Sequence, residues 1–277
     1  MERLHTVGIV GVGLIGASLG MAMRRRELVE RVVGVDIDPQ AIATARERGA
    51  IDDGGGDLAL LWDADVVALA VHPDAVIDVA LQAAVAMKSG SILIDVASTK
   101  ARIVRTLDQK VPRHVRYIGG HPMAGSEERG AEAADADLLD GRPFLLTPTE
   151  HTDPAAVAVM TELVGRLGML PVLLAPEDHD ELVAQVSHLP YLLAVAAVRA
   201  ASDRAIEVRG PAFSRIGRIA GSPAELWAQI CRGNRAAIKR ALVGFRRELD
   251  RLEQALDDGE LEAILEKTRQ RARMVDN

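Results

Sequence analysis

The sequence predicts an α/β fold, a doubly wound parallel sheet, followed by an all-helical domain. Three observations carry that reading. Short runs rich in Val, Ile and Leu alternate with helical patterns through the first 174 residues. A glycine-rich turn joins the first of these runs to the first helix. From about residue 175 the alternation stops, and the remaining periodic segments read as helix. Near-continuous apolar strands in such a rhythm are what a parallel sheet covered on both faces requires. The boundary is a change of pattern rather than a flexible linker. It divides the chain into an α/β region, 1–174, and a helical region, 175–277.

Taken in order, HTVGIVG (5–11) reads as the first strand, and a helix follows from about Leu14 to Glu27. RVVGVD (31–36) is a second strand. Asp38 and Pro39 then open a helix, the acid at the N-cap and the proline where a missing N–H costs nothing. ADVVALAV (64–71) is a buried strand before a helix over about 74–87, and SILIDVA (91–97) is another before a helix over 100–110. VRYIGG (115–120) closes the regular series. After a loop rich in Gly and acids (124–142), RPFLLTP and MLPVLLA flank a helix from 154 to 167 as two further strands. Residues 177–203 are apolar almost all round, which implies burial against more than one neighbour. Pro190 should kink that helix, because it lacks the N–H that the carbonyl four residues back needs. Ile238, Leu242, Phe245, Leu249, Leu252 and Leu256 are spaced as a short heptad seam. A seam of this kind packs either inside its own domain or across a helical subunit interface.

Composition narrows the function classes. The 277 residues carry 33 Lys plus Arg against 40 Asp plus Glu, a net charge of −7, and are 48% hydrophobic. That apolar fraction excludes disorder as the main state. The single Cys excludes an intramolecular disulfide framework and fits a reducing compartment. The negative balance, with only two Trp, two Tyr and three Phe, argues against nucleic acid as a partner. Residues 7–23 are uncharged and look like the core of a signal peptide. Five of them are Gly, however, each costing a helix roughly 1 kcal/mol, and Glu2 and Arg24-Arg25-Arg26 are the wrong flanks. No other window approaches 18 apolar residues, so no membrane span is expected and the expected setting is the cytoplasm.

Gly11-Val12-Gly13-Leu14-Ile15-Gly16 is a GxGxxG motif directly after a predicted strand and at the start of a helix. An acid, Asp36, ends the next strand 20 residues after Gly16. That context makes the motif a Rossmann-type dinucleotide site. Gly11 permits the tight turn, Gly13 lets the backbone approach a pyrophosphate, and Gly16 lets helix and strand pack closely. The helix start at Leu14 and Ile15 offers unpaired N–H groups and a partial positive charge. Asp36 would accept hydrogen bonds from ribose hydroxyls and repel a 2′-phosphate, which favours NAD over NADP; alternatively it is only a turn residue. No Lys follows the glycines as an ATP loop requires.

Three places beyond predicted strand ends carry unusual polar residues. Ser98-Thr99-Lys100 follows one strand, where Ser98 or Thr99 would in any case serve as a helix N-cap. His121 lies in GGHPMAGSE (119–127), immediately after a strand, with glycines that clear room for it to reach a nicotinamide ring. An imidazole can take a proton at neutral pH. His179-Asp180 and Ser187-His188-Leu189-Pro190 share one predicted helix. At about 100° per residue, His179 and His188 face opposite ways, so no metal would hold both, and no CxxC or HExxH is present. His188, beside the kink, reads as a pocket residue.

Charge is segregated. Residues 175–277 hold 16 basic and 16 acidic side chains, so the acid excess lies in the first region. Within 209–247, nine basic residues face a single acid, Glu225. Such a field suits a small anionic substrate, although most of these side chains would simply be solvated.

The sequence resembles the prephenate dehydrogenase family, also called arogenate or cyclohexadienyl dehydrogenases. The resemblance runs from Val7 to about Leu256 through VGIVGVGLIGASLG, DVASTK (95–100), GGHPMAGSEERG (119–130), HDELVAQVSHLP (179–190) and RIAGSPAELWAQICRGN (218–234). It implies a nucleotide-binding domain, a helical domain through which two subunits associate, and NAD-dependent oxidative decarboxylation of prephenate to 4-hydroxyphenylpyruvate. By that match His121 is the base or acceptor for the ring hydroxyl and Ser98 orients the hydroxyl or His121. Arg218 binds a carboxylate of the dianionic substrate, His188 lines the pocket, and Glu127 gates or tunes access. Where many relatives carry an acid three residues before the matched arginine, this chain has Arg215. No room for an appended regulatory domain follows the last predicted helix, so feedback by tyrosine is expected at or near the active site. Two other readings remain: a β-hydroxyacid dehydrogenase or imine reductase, and a non-catalytic NAD-binding sensor.

Overall fold

The computed structural model describes residues 2–126 and 128–273. One sheet contains β1 (Leu4–Val10), β2 (Val29–Val35), β3 (Asp53–Gly55), β4 (Val66–Leu69), β5 (Ile92–Asp95), β6 (Arg116–Pro122), β7 (Pro143–Thr147) and β8 (Leu170–Leu173). Their spatial order is β3-β2-β1-β4-β5-β6-β7-β8, with every pair parallel except β6 and β7. On one face, α1 (Leu14–Arg25), α2 (Pro39–Glu47) and α5 (Pro154–Arg166) bury Leu19, Met23, Ile42, Met160 and Leu163. On the other, α3 (Val76–Ala86) and α4 (Ala101–Lys110) bury Ala80, Ala83, Ile103 and Leu107. Burial from both sides is why the strands read as continuous apolar runs. The chain order runs outward in both directions from the β1–β4 pair, so a crevice opens at the carboxyl ends of those two strands.

Two sheet features differ from the sequence expectation. The short β3 contains two glycines and no apolar alternation, and exists because β2 offers it an edge. β6 runs past Gly120 through His121 and Pro122, because the antiparallel β7 pairs Leu145 with His121 and Phe144 with Pro122.

The remainder is helical: α6 (Pro176–Val183), a π turn (Ala184–His188), α7 (Leu189–Ala200), α8 (Asp203–Glu207), α9 (Pro211–Ala220), α10 (Ala224–Gly233), α11 (Arg235–Asp258) and α12 (Leu261–Ala272). The break expected at Pro190 takes the form of that π turn, which rearranges the hydrogen-bond ladder just ahead of the proline. All-round burial of 177–203 does not hold within one chain: Leu182 is 47% and Val186 68% exposed. Along α11, Ile238 is buried while Leu249, Leu252 and Leu256 lie open. The helical region's own core is small, built on Ala184, Ala237 and Ile238.

The membrane expectation needs one correction. Pro176–Ala200 is long and apolar enough to cross a membrane by length and composition, with mean hydropathy 1.4. His179, Asp180 and His188 on this stretch are nevertheless buried and hydrogen-bonded inside the fold, so it serves as a domain helix. The two regions also dock. Arg232 of α10 pairs with Asp74 at 2.8 Å, and Gln229 Oε1 accepts the Asp74 N–H at 3.3 Å. α10 is thereby tied to the loop after β4.

Candidate active site

The glycine-rich turn occupies the crevice at the end of β1. Gly11 has φ +87°, and a Cβ there would stand 2.5 Å from the Ala70 carbonyl oxygen. A Cβ on Gly16 would lie 2.0 Å from the Gly11 carbonyl oxygen, so α1 rests directly on the turn. A Cβ on Gly13 would meet nothing within 4 Å. Gly13 is the N-cap of α1, and the first turn, starting at the half-buried Leu14 and Ile15, has neither a capping side chain nor an acid. Its N–H groups therefore fit an anionic pyrophosphate. Asp36, at the end of β2, accepts the Val12 N–H at 2.9 Å and the Asp38 N–H at 3.0 Å. It braces the glycine turn while remaining half-buried at the crevice edge, and the next residue, Ile37, is almost wholly exposed. These residues fit an NAD-type dinucleotide.

A second cluster forms where β5 and β6 end against α6. His121 is buried, and its Nδ1 lies 2.9 Å from His179 Nε2. His179 Nδ1 lies 2.9 Å from Asp180 Oδ1. The Asp180 carboxylate accepts the Lys100 N–H at 2.7 Å and the Ala101 N–H at 3.0 Å, so it caps α4 from 80 residues away. Ser98 and Thr99 do not supply that cap; the N-cap position is Lys100, without a side-chain bond of its own. Lys100 is fully buried and forms an ion pair with Asp95, whose other oxygen accepts the Tyr117 hydroxyl at 2.7 Å. Gly119 admits the Lys100 stem, since a Cβ there would lie 3.2 Å from Lys100 Cδ and 2.4 Å from Thr147 Oγ1. Gly120 admits Ile94 and Phe144. The two glycines thus make room for the core and for the Lys100 stem beside His121.

His188 belongs to the same cluster. Its Nδ1 is 3.2 Å from the Asn234 amide nitrogen, which also donates to the Asp180 carbonyl at 2.7 Å. The expected opposite facing of His179 and His188 is therefore corrected. The intervening π turn winds less per residue than an α-helix and brings both rings to one site. His188 Nε2 is buried without a hydrogen-bond partner among the described residues, although the Ser98 backbone lies close enough to act on the ring. Trp227 stands edge-on to His188 at 6.1 Å and stacks on Tyr191 at 3.7 Å. Sequence reasoning passed over both aromatics; the available signal was that a chain this poor in aromatics spends two of them here.

Burial sets the electrostatics. It pushes the His121 imidazole well below its usual 6.5, helped by His179, Lys100 and His188. It also lowers His179 against the opposing pull of Asp180, and takes His188 down to about 4. All three rings are uncharged at neutral pH, the state a proton acceptor requires. Lys100 is lowered by burial and held up in part by Asp95.

Ser98 sits half-buried between β5 and α4, beside His188. Arg218 and Arg215 are exposed on α9, which packs along α7. Glu127 lies outside the described residues. Among the described residues, no three His, Cys, Asp or Glu are grouped to hold a metal ion.

A doubly wound sheet, a dinucleotide crevice and a buried neutral histidine at the strand ends define a nicotinamide-dependent dehydrogenase. Two family descriptions match consecutive stretches: "Prephenate dehydrogenase, nucleotide-binding domain" over residues 19–170 and "Prephenate dehydrogenase, dimerization domain" over residues 175–270. The cyclohexadienyl dehydrogenase of Zymomonas mobilis is 30% identical over 99% of this chain and 97% of its own length. The crystal structure of prephenate dehydrogenase from A. aeolicus, in complex with hydroxyphenyl propionate and NAD+, superposes with a TM-score of 0.91 at 27% identity, over 98% of each chain. Synechocystis arogenate dehydrogenase gives 0.83 at 31% identity, over 98% of this chain and 99% of that one. The chain belongs to the prephenate dehydrogenase family.

Proposed function

We propose that the protein catalyses the NAD-dependent oxidative decarboxylation of prephenate to 4-hydroxyphenylpyruvate, on the route to tyrosine. The observation that carries this is His121, buried and uncharged where the parallel strands end. NAD supplies the hydride acceptor when bound, held by Gly11, Gly13, Leu14, Ile15, Gly16 and Asp36. His121 accepts the proton of the ring hydroxyl as carbonyl character develops at that carbon. Loss of CO₂ then aromatises the substrate, which makes the overall step hard to reverse. His188 lines the pocket with Trp227 and Tyr191, Ser98 orients the hydroxyl or His121, and Glu127 gates or tunes access. Arg218, within the basic stretch 209–247, binds a carboxylate of the dianion.

Residues 1–174 act as the cofactor domain and 175–277 as the substrate and dimerisation domain, in a cytoplasmic homodimer. Support for the dimer comes from the apolar residues left open on α6, the π turn and α11, together with the dimerization-domain match. Arogenate is the second reading, favoured by the likeness to the Synechocystis enzyme. The test is His121→Asn: kcat falls by about 10²–10⁴ with a much smaller change in KM. An unchanged kcat removes His121 from the acceptor role.

A further inference from the structure

We propose that Asp180 and His179 are positioning residues that fix the tautomer of His121, leaving its Nε2 unprotonated toward the substrate, and that they share the charge when that nitrogen gains a proton. This rests on the reading of His121 as proton acceptor. The logic is that of donors and acceptors. Both oxygens of the Asp180 carboxylate accept backbone N–H groups at the start of α4, where a helix N-terminus favours a carboxylate. A carboxylate only accepts, so His179 Nδ1, at 2.9 Å from it, carries the hydrogen. A neutral imidazole has one N–H, so His179 Nε2 is a lone pair and must accept from His121 Nδ1, again at 2.9 Å. His121 Nδ1 is thereby the protonated nitrogen, and Nε2 is the base.

The surrounding charges agree. His121 is faced by His179, Lys100 and His188, and His179 by Asp180, Lys100 and Asp95. Lys100 and Asp95 cancel as a buried pair, so Asp180 leaves the cluster with one net negative charge. In the chemical step the substrate O–H bond breaks and the Nε2–H bond of His121 forms. The electron pair stays on oxygen and becomes part of the carbonyl. His121 then donates through both nitrogens, with Nδ1 still on His179, and the cluster is neutral. The same reasoning gives His188 the opposite tautomer. The Asn234 amide nitrogen donates to a carbonyl, which fixes the amide's orientation, and it also donates to His188 Nδ1. His188 therefore bears its hydrogen on Nε2.

The direct test is a long-range proton–nitrogen correlation spectrum of the full chain, labelled with ¹⁵N-histidine at about pH 7.5 without substrate. Single substitutions, His121→Asn, His179→Gln and His188→Gln, assign the signals. The expected result is His121 and His179 protonated at Nδ1, and His188 protonated at Nε2. His121 protonated at Nε2 overturns the proposal. A kinetic arm follows. His179→Leu, which cannot accept, should lower kcat about 10²-fold or more, with KM for NAD and substrate changed only a few-fold. His179→Gln, whose Oε1 can still accept from His121 Nδ1, should recover kcat to within about tenfold of the native enzyme. Equal kcat in the two variants also overturns the proposal. If His179→Leu fails to fold, the spectrum of the unsubstituted protein decides. Absence of turnover with prephenate and arogenate would sink the functional reading instead, while the tautomers remain readable without substrate.

Discussion

Acidification should destabilise this protein well before its carboxylates titrate, and His188 gives the size of the effect. Unfolded, its imidazole titrates near the ordinary 6.5; folded, burial takes it to about 4. A group depressed in the folded state contributes stability that is fully present above the unfolded value and is lost as pH falls toward the folded one. One pKa unit corresponds to about 1.4 kcal/mol. His188 alone therefore removes about 2 kcal/mol between pH 7.5 and pH 5, and about 3 kcal/mol by pH 4. His179 and His121 are shifted the same way and steepen the loss. The assay is urea unfolding at about pH 7.5 and pH 5 at a fixed protein concentration, comparing the native chain with His188→Gln. Glutamine does not titrate in this window. Whatever its absolute stability, the variant should lose about 2 kcal/mol less than the native chain over the interval. Identical losses in the two chains would refute the buried-neutral account of this site.

Other outcomes follow from named contacts. Arg218→Ala should raise KM for prephenate by roughly thirtyfold, about 2 kcal/mol for a charged carboxylate contact, while NAD affinity is nearly unchanged; an effect confined to NAD contradicts its placement. Asp36→Ala should weaken NAD about tenfold and narrow the preference over NADP, because the carboxylate that braces Val12 and repels a 2′-phosphate is gone. An unaltered NAD KM would make Asp36 a turn residue only. Leu249→Glu with Leu252→Glu should convert a dimer to a monomer in sedimentation, since both side chains stand open on α11; a dimer that persists moves the interface elsewhere.

Legibility in the sequence followed the range of each interaction. Gly11 and Gly16 were readable because their requirements are local: a left-handed turn, and a helix resting on that turn. His121 was readable by motif, but its place inside β6 was not, because β7 extends that strand from more than 20 residues further on. The opposite facing of His179 and His188 follows from counting α-helical phase through a segment that contains a π turn. Lys100 stood in plain view in DVASTK, five residues after Asp95. Nothing local showed that the two would be buried as a pair, or that Asp180, 80 residues later, would cap the helix they introduce. The apolar stripe of 177–203 implies burial on several sides, but Leu182 and Val186 stand open in the fold. One chain supplies only some of the stripe's neighbours.

The chemistry assigned to this cluster is the oxidation of a cyclohexadienyl hydroxyl by NAD. It is tested most directly by incubating the purified native chain with NAD and, separately, prephenate or arogenate, following NADH absorbance and identifying the aromatic product. One NADH and one 4-hydroxyphenylpyruvate should form per prephenate consumed. No NADH from either substrate would contradict that assignment.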